Sequence, residues 1–92
     1  MKIYKNEKFI SQLDDVLDFI AIDSLNQAII FNRNLEIKIN SILNMPYKFR
    51  QSIHFDDENI RDLIFKGYTI PYFIDEENRL IIILGIIKYR KK

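Results

Sequence analysis

Fourteen lysines and arginines, thirteen aspartates and glutamates, one histidine and no cysteine are the side chains of this 92-residue chain that could move protons, stabilise charge or hold a metal. Without cysteine there is neither a thiolate ligand nor a disulfide framework, and one imidazole leaves little scope for a zinc centre. No metal and no cofactor is expected. His54 is the one side chain whose ordinary pKa lies near neutrality. On a short strand, its plainer reading is a half-buried structural or surface residue. The charges are segregated: acids at Asp14, Asp15, Asp18 and Asp23, at Asp56 to Glu58 and at Asp75 to Glu77, cations at Lys88, Arg90, Lys91 and Lys92. A formal net charge of +1 does not mark a nucleic-acid binder, yet this polarity can orient an anionic partner. A solvated basic tail is the alternative.

The elements that must position these groups follow from composition and spacing. With 48% hydrophobic residues and only two glycines and two prolines, the chain favours a compact fold, and its length suits a single domain over 1–92. MKIYKNEKF lacks an apolar signal core, and the run Leu80 to Ile87 is far shorter than the ~20 residues of a membrane span. A soluble, cytoplasmic protein with no membrane association is therefore expected. Lys2 to Lys5 alternate as a short strand. Asn6 then caps a helix over about Glu7 to Ala21, whose stripe is Phe9, Ile10, Leu13, Val16, Leu17 and Ile20. Ser24-Leu25-Asn26-Gln27 has the form of a capping box, and helical spacing resumes as far as Leu43 or Asn44. Asn44 suits a left-handed cap, and Pro46 prevents continuation. The two-residue connection Ile22-Asp23 forces the helices into an antiparallel hairpin. Ile30, Phe31 and Ile37 widen the second helix's apolar surface, either to pack on two sides or to await another chain.

Beyond Met45 the pattern becomes that of strands. Gln51 to Phe55, Ile60 to Phe65, Tyr68 to Ile74 and Leu80 to Ile87 are the expected strands, separated by polar turns at Asp56 to Asn59, Lys66-Gly67 and Asp75 to Asn78. Pro71 cannot donate to a ladder, so its strand is open, bulged or at an edge there, and Gly85 marks a bulge or close approach. The order predicts an α+β fold: an N-terminal strand, an antiparallel helical hairpin, then an antiparallel strand meander with the helices on one sheet face.

Ser24 and Ala28 at the head of the second helix, Leu43 to Pro46, Arg50, Ser52, Arg61, Leu63, Tyr68 to Tyr72, Leu84, Ile86 and Arg90 together give a chain that resembles the RelE/ParE superfamily of toxins from type II toxin–antitoxin systems, on the ParE-like side. The pattern runs over nearly the whole chain. It implies a small growth-inhibiting toxin, of the kind that also stabilises plasmids, held inactive by a cognate antitoxin. ParE-like members inhibit DNA gyrase as a protein target and have no established hydrolytic site. RelE-like members cut mRNA on the ribosome, which needs a base, an acid and cations around the phosphorane. A third reading is a non-toxic binding module of the same fold.

On the nuclease reading, the resemblance points to Arg61 before the central hairpin and to Lys88, Tyr89 and Arg90 after the last strand, with His54 a less favoured base. Arg61 or Arg90 would stabilise phosphate charge, Tyr89 would stack on a base, and Lys88 would need a strongly depressed pKa. The structural alternatives are an Arg61 paired with a nearby carboxylate such as Asp62, core positions for Tyr68 and Tyr72, and simple solvation for Glu58. An antitoxin helix would lie on the second helix, with Leu25, Ile29, Phe31 and Leu35 as its contacts, or a strand would join an open sheet edge. Homo-oligomerisation is not expected.

Overall fold

The computed structural model describes residues 1–88, in the order β1 (Lys2–Lys5), α1 (Glu7–Asp23), α2 (Leu25–Asn40), a 3₁₀ turn (Ser41–Leu43), β2 (Ile60–Phe65), β3 (Tyr68–Asp75), β4 (Leu80–Ile83) and β5 (Ile87–Lys88). Both helix starts are set by side-chain caps: the Phe9 amide donates to Asn6 Oδ1 at 2.8 Å and the Gln27 amide to Ser24 Oγ at 3.1 Å. Ser24 also closes α1, its own amide donating to the Ile20 carbonyl. One residue therefore serves both helices, and α1 extends to Asp23, past the expected Ala21. At the far end Asn44 is not left-handed: with φ −73° and ψ −38° it continues a tightened 3₁₀ turn that Pro46 then stops.

The sheet order is β1-β4-β3-β2. β2 and β4 run antiparallel to β3, but β1 joins β4 in parallel, with Ile3 opposite Ile81 and Lys5 opposite Ile83, so the sheet is mixed rather than wholly antiparallel. β4 is thus flanked on both edges, which suits its unbroken apolar run. One face carries Leu63, Ile70, Tyr72, Ile74, Ile81 and Ile83, all fully buried against Phe9 and Leu13 of α1 and Phe31, Leu35 and Ile39 of α2. This cluster is the core, and the helices cover that face alone. Among the described residues no helix is long and apolar enough to cross a membrane.

Two expected strands come out differently. Gln51 to Phe55 forms no strand: Gln51 makes an isolated bridge with Arg61, and only Arg50 to Ser52 runs along β2. The Ile53 amide then turns to the Asp62 carboxylate at 3.2 Å, which ends the pairing. Leu80 to Ile87 is divided at Leu84-Gly85-Ile86, because Tyr72 faces Ile83 whereas Tyr68 faces Lys88, so five steps on one strand answer four on the other. That slip is a bulge, and it lies where Pro71 has no amide to offer; the Pro71 carbonyl still accepts the Leu84 amide at 2.9 Å.

Candidate functional site

Arg61 sits at the start of β2, opposite Tyr72 on β3. Its Nε donates to the Glu58 carbonyl at 3.0 Å and its Nη1 to the Phe49 carbonyl at 3.2 Å, while the guanidinium lies over the Tyr47 ring at 5.1 Å. These bonds tie two points of the chain that precedes β2 to the strand itself. Asp62, next in sequence, points to the opposite face and is fully buried; its partner is Arg50, 3.5 Å away, and not Arg61. The expectation of an Arg61 ion pair with Asp62 is therefore corrected: alternation along the strand separates the two side chains.

His54 follows the turn at Ile53, with an exposed side chain whose imidazole makes no hydrogen bond among the described residues; its backbone amide donates to Ser52 Oγ. Lys88 is exposed on β5, opposite Tyr68. Because Arg61 is opposite Tyr72 and Lys88 opposite Tyr68, the two cations are separated by four residues of β3, or ~13 Å at ~3.3 Å per residue. Tyr89 and Arg90 lie outside the described residues. Arg61 and Lys88 are thus not brought together, and the His54 imidazole bonds to neither among the described residues.

Two phenols stand nearest Arg61. Burial pushes Tyr72 far above the usual phenol range, with Asp62 adding to the shift and Arg61 opposing it. Tyr47 is also raised, by desolvation and by Glu76, whose carboxylate accepts from the phenol at 3.4 Å. Both phenols are protonated donors at neutral pH and neither serves as a base. Tyr72 instead donates to the Pro46 carbonyl at 2.6 Å, pinning the chain that follows α2. Tyr72→Phe is expected to cost about 1–2 kcal/mol by leaving that carbonyl without its donor, read as a lowered urea midpoint at unchanged slope.

The helical hairpin presents the other candidate surface. Leu25 and Ile29 are 68% and 50% exposed, whereas Phe31 at 7% and Leu35 at 0% point into the core. Two of the four residues expected to meet an antitoxin are therefore unavailable: with 3.6 residues per turn, Ala28, Phe31, Leu35 and Ile39 form the buried stripe, and Leu25 and Ile29 fall beside it. Leu17 and Ala21 of α1 join Leu25, Ala28 and Ile29 around a groove of about 220 Å³, with Asp18 and Asn32 at its rim. Phe19 and Ile22 are exposed near the same end of the hairpin. Periodicity alone marked Leu25 and Ile29; the contribution of α1 became visible only once the hairpin was closed.

The family model described as ParE toxin of type II toxin-antitoxin system, parDE, matches residues 3–92. Among solved structures, the chromosomal ParDE toxin–antitoxin system from P. aeruginosa contains a chain that superposes with a TM-score of 0.78 at 14% identity, covering 98% of this chain and 97% of that one. No curated protein matches the sequence.

Proposed function

Because the chain belongs to the ParE toxin family of type II toxin–antitoxin systems, we propose that it arrests growth from the cytoplasm by binding a protein target, DNA gyrase, and that a cognate antitoxin neutralises it. The observation that supports a binding mechanism is the spacing of the candidate catalytic groups that lie among the described residues. Arg61 spends two donors on backbone carbonyls, His54 is exposed, and Lys88 is offset ~13 Å from Arg61 along β3. Phosphodiester cleavage needs a base and a charge stabiliser within hydrogen-bond reach of the same phosphate.

The α1–α2 groove is the antitoxin's place in this reading. Leu25 and Ile29 offer apolar anchors for one face of a helix. Asp14, Asp15, Asp18 and Asp23 precede Arg33 with no intervening cation, so the favoured helix has lysine or arginine beside its apolar stripe.

The test is supercoiling by purified gyrase in the presence of the chain. Inhibition, relieved by the product of the adjacent gene, is the expected result. Ile29→Asp should weaken capture by that product at least tenfold, because it buries a charge in the apolar contact. Unimpaired supercoiling at large molar excess would sink the gyrase reading, and transcripts cleaved on primer extension after induction would replace it with the ribosome-dependent mRNA endonuclease.

A further inference from the structure

Opposite in charge to the hairpin groove is the segment that leaves α2. From Ser41 to Phe55 there is no acidic residue, while Lys48, Arg50 and His54 fall within it. Ile42 is buried and Phe49 packs against the core, but other apolar side chains are turned outward: Met45 is 62% exposed, and Leu43 and Tyr47 are exposed as well. The segment is nevertheless built, not loose. The Lys48 amide closes a turn on the Met45 carbonyl at 3.0 Å, Tyr72 holds the Pro46 carbonyl, and the Phe49 ring meets Tyr72 edge-on at 6.5 Å.

Two ammonium groups converge on that ring. Lys38, from the last turn of α2, lies 5.8 Å from the Phe49 centroid, and Lys48 lies 5.7 Å from it. Neither has a carboxylate within salt-bridge distance among the described residues, where the only ion pairs are Lys5 with Glu36 and Arg50 with Asp62. Each ammonium group has the ring as its cation–π partner, a contact that leaves its N–H donors open to an incoming carboxylate.

We propose that the toxin engages its target through this surface, formed by Lys38, Leu43, Met45, Tyr47 and Lys48, and that the target presents an acidic segment carrying apolar anchors. The exposed aliphatic groups select a protein over a nucleic acid, whose strand would call on cations and aromatic faces but leave Leu43 and Met45 unfilled. The inference rests on the proposed toxicity. It places neutralisation beside the first turns of α2 and toxicity beyond its last, on a surface whose cations Lys38 and Lys48 lie apart from the Glu76 carboxylate that Tyr47 meets at one edge.

The experiment compares the wild type with Lys38→Gln/Lys48→Gln and with Met45→Asp, using Lys8→Glu on the exposed side of α1 as a control. Growth arrest on induction reads the surface, gyrase supercoiling reads the identity of the target, and thermal melting establishes that each variant is folded. Both test variants are expected to lose arrest, or to need at least about tenfold more protein to inhibit, while still binding the antitoxin, and Lys38→Arg/Lys48→Arg is expected to restore it. Arrest by the wild type without any effect on supercoiling would remove gyrase alone and leave the surface to be judged by arrest. Folded variants as toxic as the wild type would overturn the surface, as would a wild type that causes no arrest. Binding of a single-stranded oligonucleotide that is lost in Lys38→Gln/Lys48→Gln would overturn the acidic-protein partner.

Discussion

Leu35→Ala is expected to destabilise the fold by about 2–5 kcal/mol, whereas Leu25→Ala, ten residues earlier on the same helix, should change stability by no more than about 0.5 kcal/mol. Leu35 is fully buried within the cluster formed by α1, α2 and the covered sheet face, so truncation removes its transfer free energy and leaves a cavity bounded by both layers. Leu25 is largely in water and leaves no void. Urea unfolding followed by far-ultraviolet circular dichroism separates the two. A small domain has only about 5–15 kcal/mol in total, so the Leu35 variant would lose a large part of it. Comparable costs at the two sites would mean that α2 is rotated about its axis relative to the sheet, and the outward surface would have to be reassigned.

The same pair of residues marks how far local pattern reaches. That α2 is a helix, that Ser24 starts it and that it folds back on α1 all follow from cap chemistry and a short link, which are local; the link is Ser24 alone, one residue where two were expected. Which of its apolar residues face the sheet is not local. Leu25, Ile29, Phe31 and Leu35 all fit helical spacing, and a helix with so wide an apolar surface has its buried stripe chosen by the sheet it meets. The failed strand at Gln51 to Phe55 has a similar origin. Ile53 and Phe55 alternate as strand residues would, but the buried Asp62 carboxylate takes the Ile53 amide and the Arg50 guanidinium, diverting the chain before a ladder can extend. Arg61 was legible as a chemically capable residue. Its partners were not, because they are backbone carbonyls of Glu58 and Phe49 that no side-chain pattern records.

The parallel entry of β1 beside β4 was also beyond sequence order, since the two strands are joined only through the rest of the fold. Its consequence reaches the functional surfaces. With β1 on one side of β4 and β3 on the other, the strand leading to Lys88 is fixed centrally, and the helices are held over one face. The groove lies beside the first turns of α2 and the basic segment follows its last, at opposite ends of one helix of this layer.

Gly85 offers the sharpest test of how that layer is joined to the sheet. Its φ lies outside the left-handed region, so the backbone itself admits a side chain; the obstacle is space. A Cβ added there would stand 2.7 Å from Gln12 Oε1, the atom that accepts the Ile86 amide at 3.0 Å. Gln12 is flexible enough to swing aside, but in doing so it abandons a buried amide at the bulge, where the broken ladder supplies no substitute. Gly85→Ala is accordingly expected to cost about 1–3 kcal/mol, the penalty of an unpaired buried donor, and Gln12→Ala should cost a similar amount for the same reason. The two penalties are one event. In the double variant the new methyl meets no oxygen and the amide is already lost, so its destabilisation should stay close to that of either single variant instead of reaching their sum. Urea midpoints for the four proteins give the coupling energy. Additive losses would show that the glycine is required by the bulge conformation, and a near-zero cost for Gln12→Ala would show that water reaches the Ile86 amide and that the helical layer is not fastened to the sheet at this point.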